Sequence, residues 1–218
     1  MENVNHWKGR LWYAYGTSMT STEYGKYVPV VEKLSGLRVV NKGIPASCLT
    51  PDGFDGRGGM KIAVTDPDDG KKEADLITVE VLPNEGPNVG GIYDTDGNSF
   101  CGCLNQCLRF LQENTAAQIV VIIMIGSNTY KPEDPHELRK IPNYEFAKII
   151  EEVAHLNGVP VINAFCEAGF GYARVKNHDY QPDNIHLNDI GGLNMGNFIW
   201  SKLKDIPLWI GPGKAEDN

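Results

Sequence analysis

Apolar, strand-like segments alternate with helical segments along nearly the whole chain, and this alternation constrains the fold more than any other feature. The apolar residues of the helical segments recur every three or four positions, which favours amphipathic helices. Such alternation is typical of a parallel sheet with helices on both faces. We therefore expect an α/β fold with three layers, α/β/α, and a five-stranded parallel sheet whose strands are residues 11–15, 37–41, 75–82, 118–125 and 159–164.

The chain has 218 residues, a length that one α/β domain with a full core accommodates. Five strands fit a flavodoxin-like layout. Helices are predicted at 22–34, where Ser21 or Thr22 would cap the helix, at 103–114 and 144–156, and within 193–203. Residues 50–72 and 84–98 are rich in Gly, Asp and Pro. We interpret them as surface excursions of one domain, apart from a short turn around 60–64, and not as domain boundaries.

Charge and hydropathy exclude several classes of partner. The formal net charge of −8 argues against nucleic acid or an anionic membrane surface as the main partner. The longest apolar run, residues 119–125, suits a buried strand and is too short for a membrane span. No apolar signal-peptide segment precedes Trp12, so we expect a soluble chain without an export signal. The sequence specifies neither a cellular compartment nor an oligomeric state.

Five cysteines raise the question of a metal site. Cys101, Cys103 and Cys107 cluster, but a structural zinc site needs four ligands and no fourth ligand is evident nearby. Cys103 and Cys107 share one face of the predicted helix, which favours buried thiols. The acidic loop from Asp66 to Asp69 lacks the full spacing of a calcium-binding EF-hand loop. We therefore expect no metal and no cofactor.

The carboxyl ends of parallel strands meet at one edge of a sheet, where ligands bind. Ser18 follows the first strand, in YGTSMT, and a serine hydroxyl becomes a good nucleophile only beside a base. Among five histidines, His178 and His186 follow the last strand. Asp183, three residues before His186, can hold its ring, which nominates Ser18, His186 and Asp183 as a triad. The alternatives are a helix cap for Ser18 and a solvated turn for the pair.

Four short segments of the sequence resemble the sequence blocks of a known enzyme family. YGTSMT, NKGIP, LPNEG and DNIH, in this order, resemble the four sequence blocks of the SGNH (GDSL-type) hydrolases. The resemblance extends from about Trp12 to about Leu203. It implies a single SGNH hydrolase-like domain over residues 1–218, with a flavodoxin-like fold. It also implies a set of catalytic residues, namely the triad Ser18, Asp183 and His186 and an oxyanion hole formed by Ser18, Gly43 and Asn84.

A second asparagine is a candidate for the oxyanion-hole role that is assigned to Asn84. IGSNTY resembles the third block more literally and would nominate Asn128, but it follows the fourth strand, whereas Asn84 follows the third. Strand order therefore favours Asn84. Thr17, Ser127 and Asn128 remain as expected substrate-pocket residues.

The chain also departs from the family pattern in the same blocks. Thr17 stands where the family has aspartate, Leu82 where it has glycine, and Glu85 at the acidic position that follows the asparagine. A Leu82 side chain would reshape the region around the oxyanion hole.

The resemblance implies a carboxylic ester hydrolase. The polar excursions offer no apolar lid for a long acyl chain, so we expect a short acyl group, acetyl by preference, on a small molecule or a glycan. The departures at Thr17 and Leu82 support an alternative hypothesis from a different class. In that hypothesis the chain is a non-catalytic carbohydrate-binding or structural module of a surface or phage-tail assembly.

Overall fold

Five parallel strands form one sheet with the spatial order β2-β1-β3-β4-β5. This computed structural model describes residues 5–82, 84–127, 129, 131–135 and 138–209. The order is that of flavodoxin-like sheets, so the predicted five-stranded parallel sheet is confirmed. The strands are β1 (Leu11–Gly16), β2 (Arg38–Gly43), β3 (Leu76–Val81), β4 (Gln118–Ile123) and β5 (Val161–Asn163).

Helices cover both faces of the sheet. One apolar core lies between the sheet and α2, α3 and α4; the other lies between the sheet and α1, α5 and α7. The predicted three layers are thereby confirmed. The helices are α1 (Val28–Ser35), α2 (Gly59–Thr65), α3 (Phe100–Asn114), α4 (Asn143–Leu156), α5 (Ala164–Glu167), α6 (Tyr172–His178) and α7 (Asp189–Leu203), with a 3-10 turn at Lys71–Glu73.

The first helix begins later than the sequence predicts. It starts at Val28, next to Pro29, and Tyr27 precedes it without a side-chain cap, so the predicted start and the predicted caps are wrong. The chain turns tightly before the helix because Gly25 packs against the backbone of Thr20 and Ser21, where a β-carbon would lie 2.4 Å from the Thr20 carbonyl oxygen. The segment between Ser18 and the helix is therefore a series of turns and does not belong to α1.

The predicted excursion at 50–72 is only partly on the surface. Its expected turn is helix α2, and Met60 and Val64 of this helix are buried against the sheet. None of the helices that the structure describes combines the length and the apolar character needed to cross a membrane.

The cysteines are free thiols. Cys101, Cys103 and Cys107 are buried in the core, which confirms the interpretation as buried thiols. Burial raises the pKa of Cys101 to about 12 and that of Cys103 to about 11. Each of these thiols therefore stays protonated and unreactive at neutral pH.

Candidate active site

A cavity of about 700 Å³ opens at the carboxyl edge of the sheet. Its wall contains five of the residues that the sequence nominates: Ser18, Asn84, Ser127, Asp183 and His186. These residues come from the ends of β1, β3 and β4 and from the turn that precedes α7, so chain segments far apart in sequence meet here. Asn128 lies outside the described residues. His178 ends α6 and is not on this wall.

Asp183 holds His186 by its ring and by its backbone. His186 Nδ1 lies 2.6 Å from Asp183 Oδ2, and the His186 backbone N–H donates to Asp183 Oδ1 at 2.7 Å. Burial raises the pKa of Asp183, but the hydrogen bonds from His186 outweigh this effect and lower the pKa to about 2. The ionised carboxylate only accepts hydrogen bonds, so the proton of a neutral imidazole resides on Nδ1.

The second ring nitrogen of His186 is available as a base. Nε2 is buried and has no hydrogen-bond partner within the described part of the chain. The ring stacks on Tyr24, with centroids 4.2 Å apart and planes 17° apart, which fixes its orientation. With the proton on Nδ1, Nε2 presents a lone pair. Ser18 lies on the same cavity wall, and catalytic hydrogen bonds commonly close only when substrate binds.

Two side chains anchor the histidine turn to the end of β4. Ser127 Oγ donates to the Asn184 carbonyl oxygen at 2.6 Å. Gln181 Nε2 donates to the Gly126 carbonyl oxygen at 3.0 Å and to the Ile185 carbonyl oxygen at 2.5 Å. Ser127 lines the cavity, but its hydroxyl proton is committed to the turn. Sequence reasoning missed Gln181 because a single glutamine before a proline carries no signal.

A buried glutamate holds the turn that carries Ser18. Glu80, on β3, accepts the Thr17 backbone N–H at 2.7 Å, the Thr17 hydroxyl at 3.0 Å and the Thr20 hydroxyl at 3.1 Å. Gly16 has no room for a β-carbon, which would lie 2.3 Å from Thr20 Oγ1. Thr17 is fully buried and does not line the cavity, so the structure does not bring this predicted pocket residue to the site. An acidic residue within the apolar strand LITVEV was the available signal for Glu80.

Gly43 is not brought to the site either. Its backbone N–H donates to Asn41 Oδ1 at 2.9 Å, and it is not on the cavity wall. Its lack of a side chain serves packing, since a β-carbon would lie 2.3 Å from the Ser21 nitrogen. Ala46 stands on the wall instead, with a left-handed φ of 62°, and its N–H donates no hydrogen bond among the described residues.

Ser18, Ala46 and Asn84 lie on the cavity wall, and each carries a hydrogen-bond donor that can serve an oxyanion. Asn84 Nδ2 donates one hydrogen to the Ser47 carbonyl oxygen at 2.9 Å, which identifies the nitrogen and leaves its second hydrogen. The backbone N–H of Ser18, like that of Ala46, has no acceptor in the described part of the chain. The Ser18 and Ala46 N–H groups and the Asn84 amide are therefore the candidate donors for an oxyanion.

Leu82 follows β3 at the position where the third sequence block of the SGNH hydrolases has glycine. Its φ of 125° is one that glycine adopts readily and other residues rarely do. The side chain is buried in the cavity wall, and the Leu82 carbonyl oxygen accepts a hydrogen bond from Arg139 Nη1 at 2.9 Å. Leu82 keeps the glycine-like backbone and adds an apolar surface to the wall.

Glu85 supports the neighbouring loop in the same way that Glu80 supports the serine turn. It accepts the backbone N–H groups of Leu49 at 3.0 Å and Thr50 at 3.2 Å. Burial raises the pKa of Glu80 and of Glu85 to about 7, although their hydrogen bonds act in the opposite direction.

These raised pKa values predict that stability falls as pH rises from about 5 to 8. The folded pKa of Glu80, about 7, exceeds the ordinary glutamate value of 4.5 that holds in the unfolded chain, so the folded protein binds more protons in this range. The stabilisation is complete below the unfolded pKa and is lost as pH passes the folded pKa. The loss is on the order of 3 kcal/mol for each glutamate. Urea unfolding at several pH values measures it.

Glu80→Gln should reduce this dependence by about half, since Glu85 still contributes, and the exposed Glu113→Gln serves as the matched control. Parallel stability curves for Glu80→Gln and the wild type would contradict the prediction.

Comparison with solved structures finds this fold in proteins of low sequence identity. A Lactobacillus plantarum protein superposes with a TM-score of 0.74 at 21% identity, covering 93% of this chain and 100% of its own. Axe2, an acetylxylan esterase from Geobacillus stearothermophilus, superposes with a TM-score of 0.60 at 12% identity, covering 96% and 100%. A catalytic mutant of Axe2 with one histidine replaced by alanine gives 0.62 at 12%, with the same coverage. No family profile and no curated protein sequence matches the chain.

Proposed function

We propose that the chain is an SGNH-type serine esterase that hydrolyses short-chain esters, with Ser18 as nucleophile, His186 as base and Asp183 as the carboxylate. One observation carries the proposal. His186 is bound to Asp183 through Nδ1 at 2.6 Å, while its buried Nε2 is unpartnered within the described residues and shares a cavity wall with Ser18. A solvated turn would have no reason to exclude water from that nitrogen.

The Axe2 structures support the same assignment. Two catalytic mutants of that esterase replace a histidine and an aspartate that lie three positions apart in its chain. Asp183 and His186 have the same order and spacing. A carboxylate three residues before the histidine can bind both its ring and its backbone, as the structure of this turn illustrates.

The proposed mechanism has two halves. Ser18 Oγ attacks the ester carbonyl carbon while its proton passes to His186 Nε2, and Asp183 stabilises the imidazolium. The oxyanion receives hydrogen bonds from the Ser18 and Ala46 N–H groups and from Asn84. Collapse of this intermediate expels the alcohol, which takes the proton from His186. A water then attacks the acyl carbonyl carbon while its proton passes to Nε2, and collapse of this second intermediate returns the proton to Ser18 Oγ and releases the acid.

The cavity suits a small acyl group on a larger alcohol. Its volume of about 700 Å³ far exceeds an acetyl group, so most of the space is left for the alcohol portion. Phe54 lies on the wall with 67% of its surface exposed, a position from which an aromatic ring can pack against a sugar face. An acetyl ester of a carbohydrate fits both features, and Axe2 acts on such esters as an acetylxylan esterase.

Hydrolysis of p-nitrophenyl esters of increasing acyl length tests the proposal. We expect the highest kcat/KM for acetate and a decline with chain length. A preference for long acyl chains would refute the short-acyl assignment. Binding of an acetylated xylo-oligosaccharide without hydrolysis of any ester would instead support the non-catalytic carbohydrate-binding module.

Asn84→Ala is expected to lower kcat about 100-fold or more, because one oxyanion donor contributes about 3 kcal/mol to transition-state stabilisation. KM should change little, since the donor acts on charge that develops after binding. Steady-state kinetics with p-nitrophenyl acetate measures both constants. If Asn84→Ala has no effect while Asn128→Ala abolishes turnover, the assignment from strand order is wrong.

A further inference from the structure

A buried pair of side chains beside the cavity takes no part in the mechanism above. Arg139 is 2% exposed and Asn143, the first residue of α4, is 1% exposed. Arg139 Nη2 donates to Asn143 Oδ1, Nη1 donates to the Leu82 carbonyl oxygen at 2.9 Å, and the guanidinium lies 4.2 Å from the centre of the Phe146 ring. These contacts hold the guanidinium in one position.

The guanidinium also fixes the orientation of the Asn143 amide. Arginine donates hydrogen bonds and accepts none, so the amide atom that faces it must be the oxygen. The nitrogen, Nδ2, is then committed to the other side with both of its hydrogens. Nδ2 is buried and has no partner among the described residues, and Asn143 lines the cavity.

Asn143 resembles His186 in having a buried side-chain nitrogen that lacks a hydrogen-bond partner among the described residues. Of the described residues on the cavity wall, these two carry a buried side-chain nitrogen without a hydrogen-bond partner. Buried donors are normally paired, because an unpaired donor loses its hydrogen bond to water and gains nothing. For His186, the missing partner is supplied during the reaction. The same reasoning assigns to Asn143 a partner that arrives with the substrate.

We propose that Asn143 Nδ2 donates a hydrogen bond to an oxygen atom in the alcohol portion of the ester. This inference rests on the proposed esterase function. A simple acetyl ester has two oxygens: the carbonyl oxygen occupies the oxyanion hole, and the ester oxygen takes the proton of His186 as the alcohol leaves. A third acceptor must therefore belong to the alcohol. Alcohols with further oxygens, such as sugars, satisfy Asn143, and plain aryl or alkyl alcohols do not.

Substrate reaches Asn143 Nδ2 only after side chains of the cavity wall move. The atom is covered in the ligand-free cavity, as is His186 Nε2, so side chains of the wall must shift when the alcohol enters. Such side-chain changes are common on binding. Leu82 and Leu138 lie on the same wall, and such apolar side chains favour an uncharged ligand over a charged one.

Two substrates separate the proposed contact from a structural role. Phenyl acetate has no oxygen beyond the ester group, whereas methyl tri-O-acetyl-xyloside offers several acceptor oxygens and no hydroxyl donor. Asn143→Ala deletes the amide. Asn143→Asp keeps an acceptor for Arg139 and replaces the nitrogen donor with an oxygen, so it retains the buried pair. In both variants we expect kcat/KM for the xyloside to fall at least ten times more than kcat/KM for phenyl acetate.

Asn197→Ala is the matched control, because Asn197 is exposed on α7 and its side chain binds the Leu193 carbonyl oxygen of its own helix. It should change neither substrate's kcat/KM. Equal losses on both substrates in the Asn143 variants would show a structural role and overturn the proposal, as would the absence of any loss.

A binding measurement separates this inference from the esterase proposal. In a Ser18→Ala background, calorimetry should show that Asn143→Asp raises the Kd of methyl tri-O-acetyl-xyloside about tenfold. If that rise occurs although the wild type hydrolyses no ester, the Asn143 contact stands and the esterase proposal fails. If hydrolysis depends on Ser18 but Kd and the substrate ratio are unchanged, the esterase proposal stands and the Asn143 contact is wrong.

Discussion

Replacement of Ser18 by alanine is expected to reduce kcat for p-nitrophenyl acetate by at least about 10,000-fold, because removing the nucleophile of a triad leaves only oxyanion stabilisation and binding. The fold should be unaffected, since no hydrogen bond of the Ser18 hydroxyl supports the described structure. Burst kinetics with the wild type should reveal an acyl-enzyme that the variant cannot form.

Ser201→Ala is the matched control for this experiment. Ser201 is an exposed serine of α7 whose hydroxyl donates to the Phe198 carbonyl oxygen at 2.7 Å. Its loss should leave kcat unchanged, and circular dichroism should show all three proteins folded. Equal rates for the wild type and Ser18→Ala would mean that Ser18 is an ordinary turn residue and that the proposed mechanism is wrong.

Asp183→Asn is expected to reduce kcat by about 10,000-fold, comparable to the loss of the carboxylate in other triads. The amide can still accept the backbone N–H groups of Ile185 and His186, so the turn should persist. What is lost is the negative charge that fixes the Nδ1 proton and stabilises the imidazolium. Because the pKa of Asp183 is lowered to about 2, the wild-type carboxylate carries this charge throughout the neutral pH range.

Asp189→Asn removes the same charge six residues away, in the first turn of α7, where Asp189 pairs with Lys26 at 3.1 Å. This control should lower kcat by less than about twofold, since a surface ion pair contributes little. A similar loss of activity in both variants would indicate that net charge, and not the contact with His186, is responsible.

The sheet was predictable from the sequence because its signals are local. Apolar runs separated by amphipathic segments define parallel strands whatever their exact ends, and strand order along the chain then placed Ser18 and Asn84 at one edge. The late start of α1 was not predictable, because it depends on the packing of Gly25 against the Thr20 and Ser21 backbone. The roles of the triad residues stay predictions, although the structure brings all three to one cavity.

The parts of the site that sequence reasoning missed depend on backbone conformation and on long-range contacts. Gly43 was the natural choice for a donor, yet Asn41 occupies its N–H, while Ala46 carries the left-handed conformation that glycine usually marks. Asn143 gives no signal, because its significance depends on Arg139 fixing the amide. Of these residues, only Glu80 has a sequence signal, because it is a charged residue within an apolar strand.

The short turn from Asp183 to His186 makes the proposed base and its carboxylate inseparable. An insertion or deletion elsewhere in the chain cannot part them; it can only change how far the pair stands from Ser18. Two anchors to the segment after β4, Ser127 and Gln181, hold the turn beside the cavity. Loops around the cavity can therefore change in length without separating Asp183 from His186, as long as these two anchors are retained.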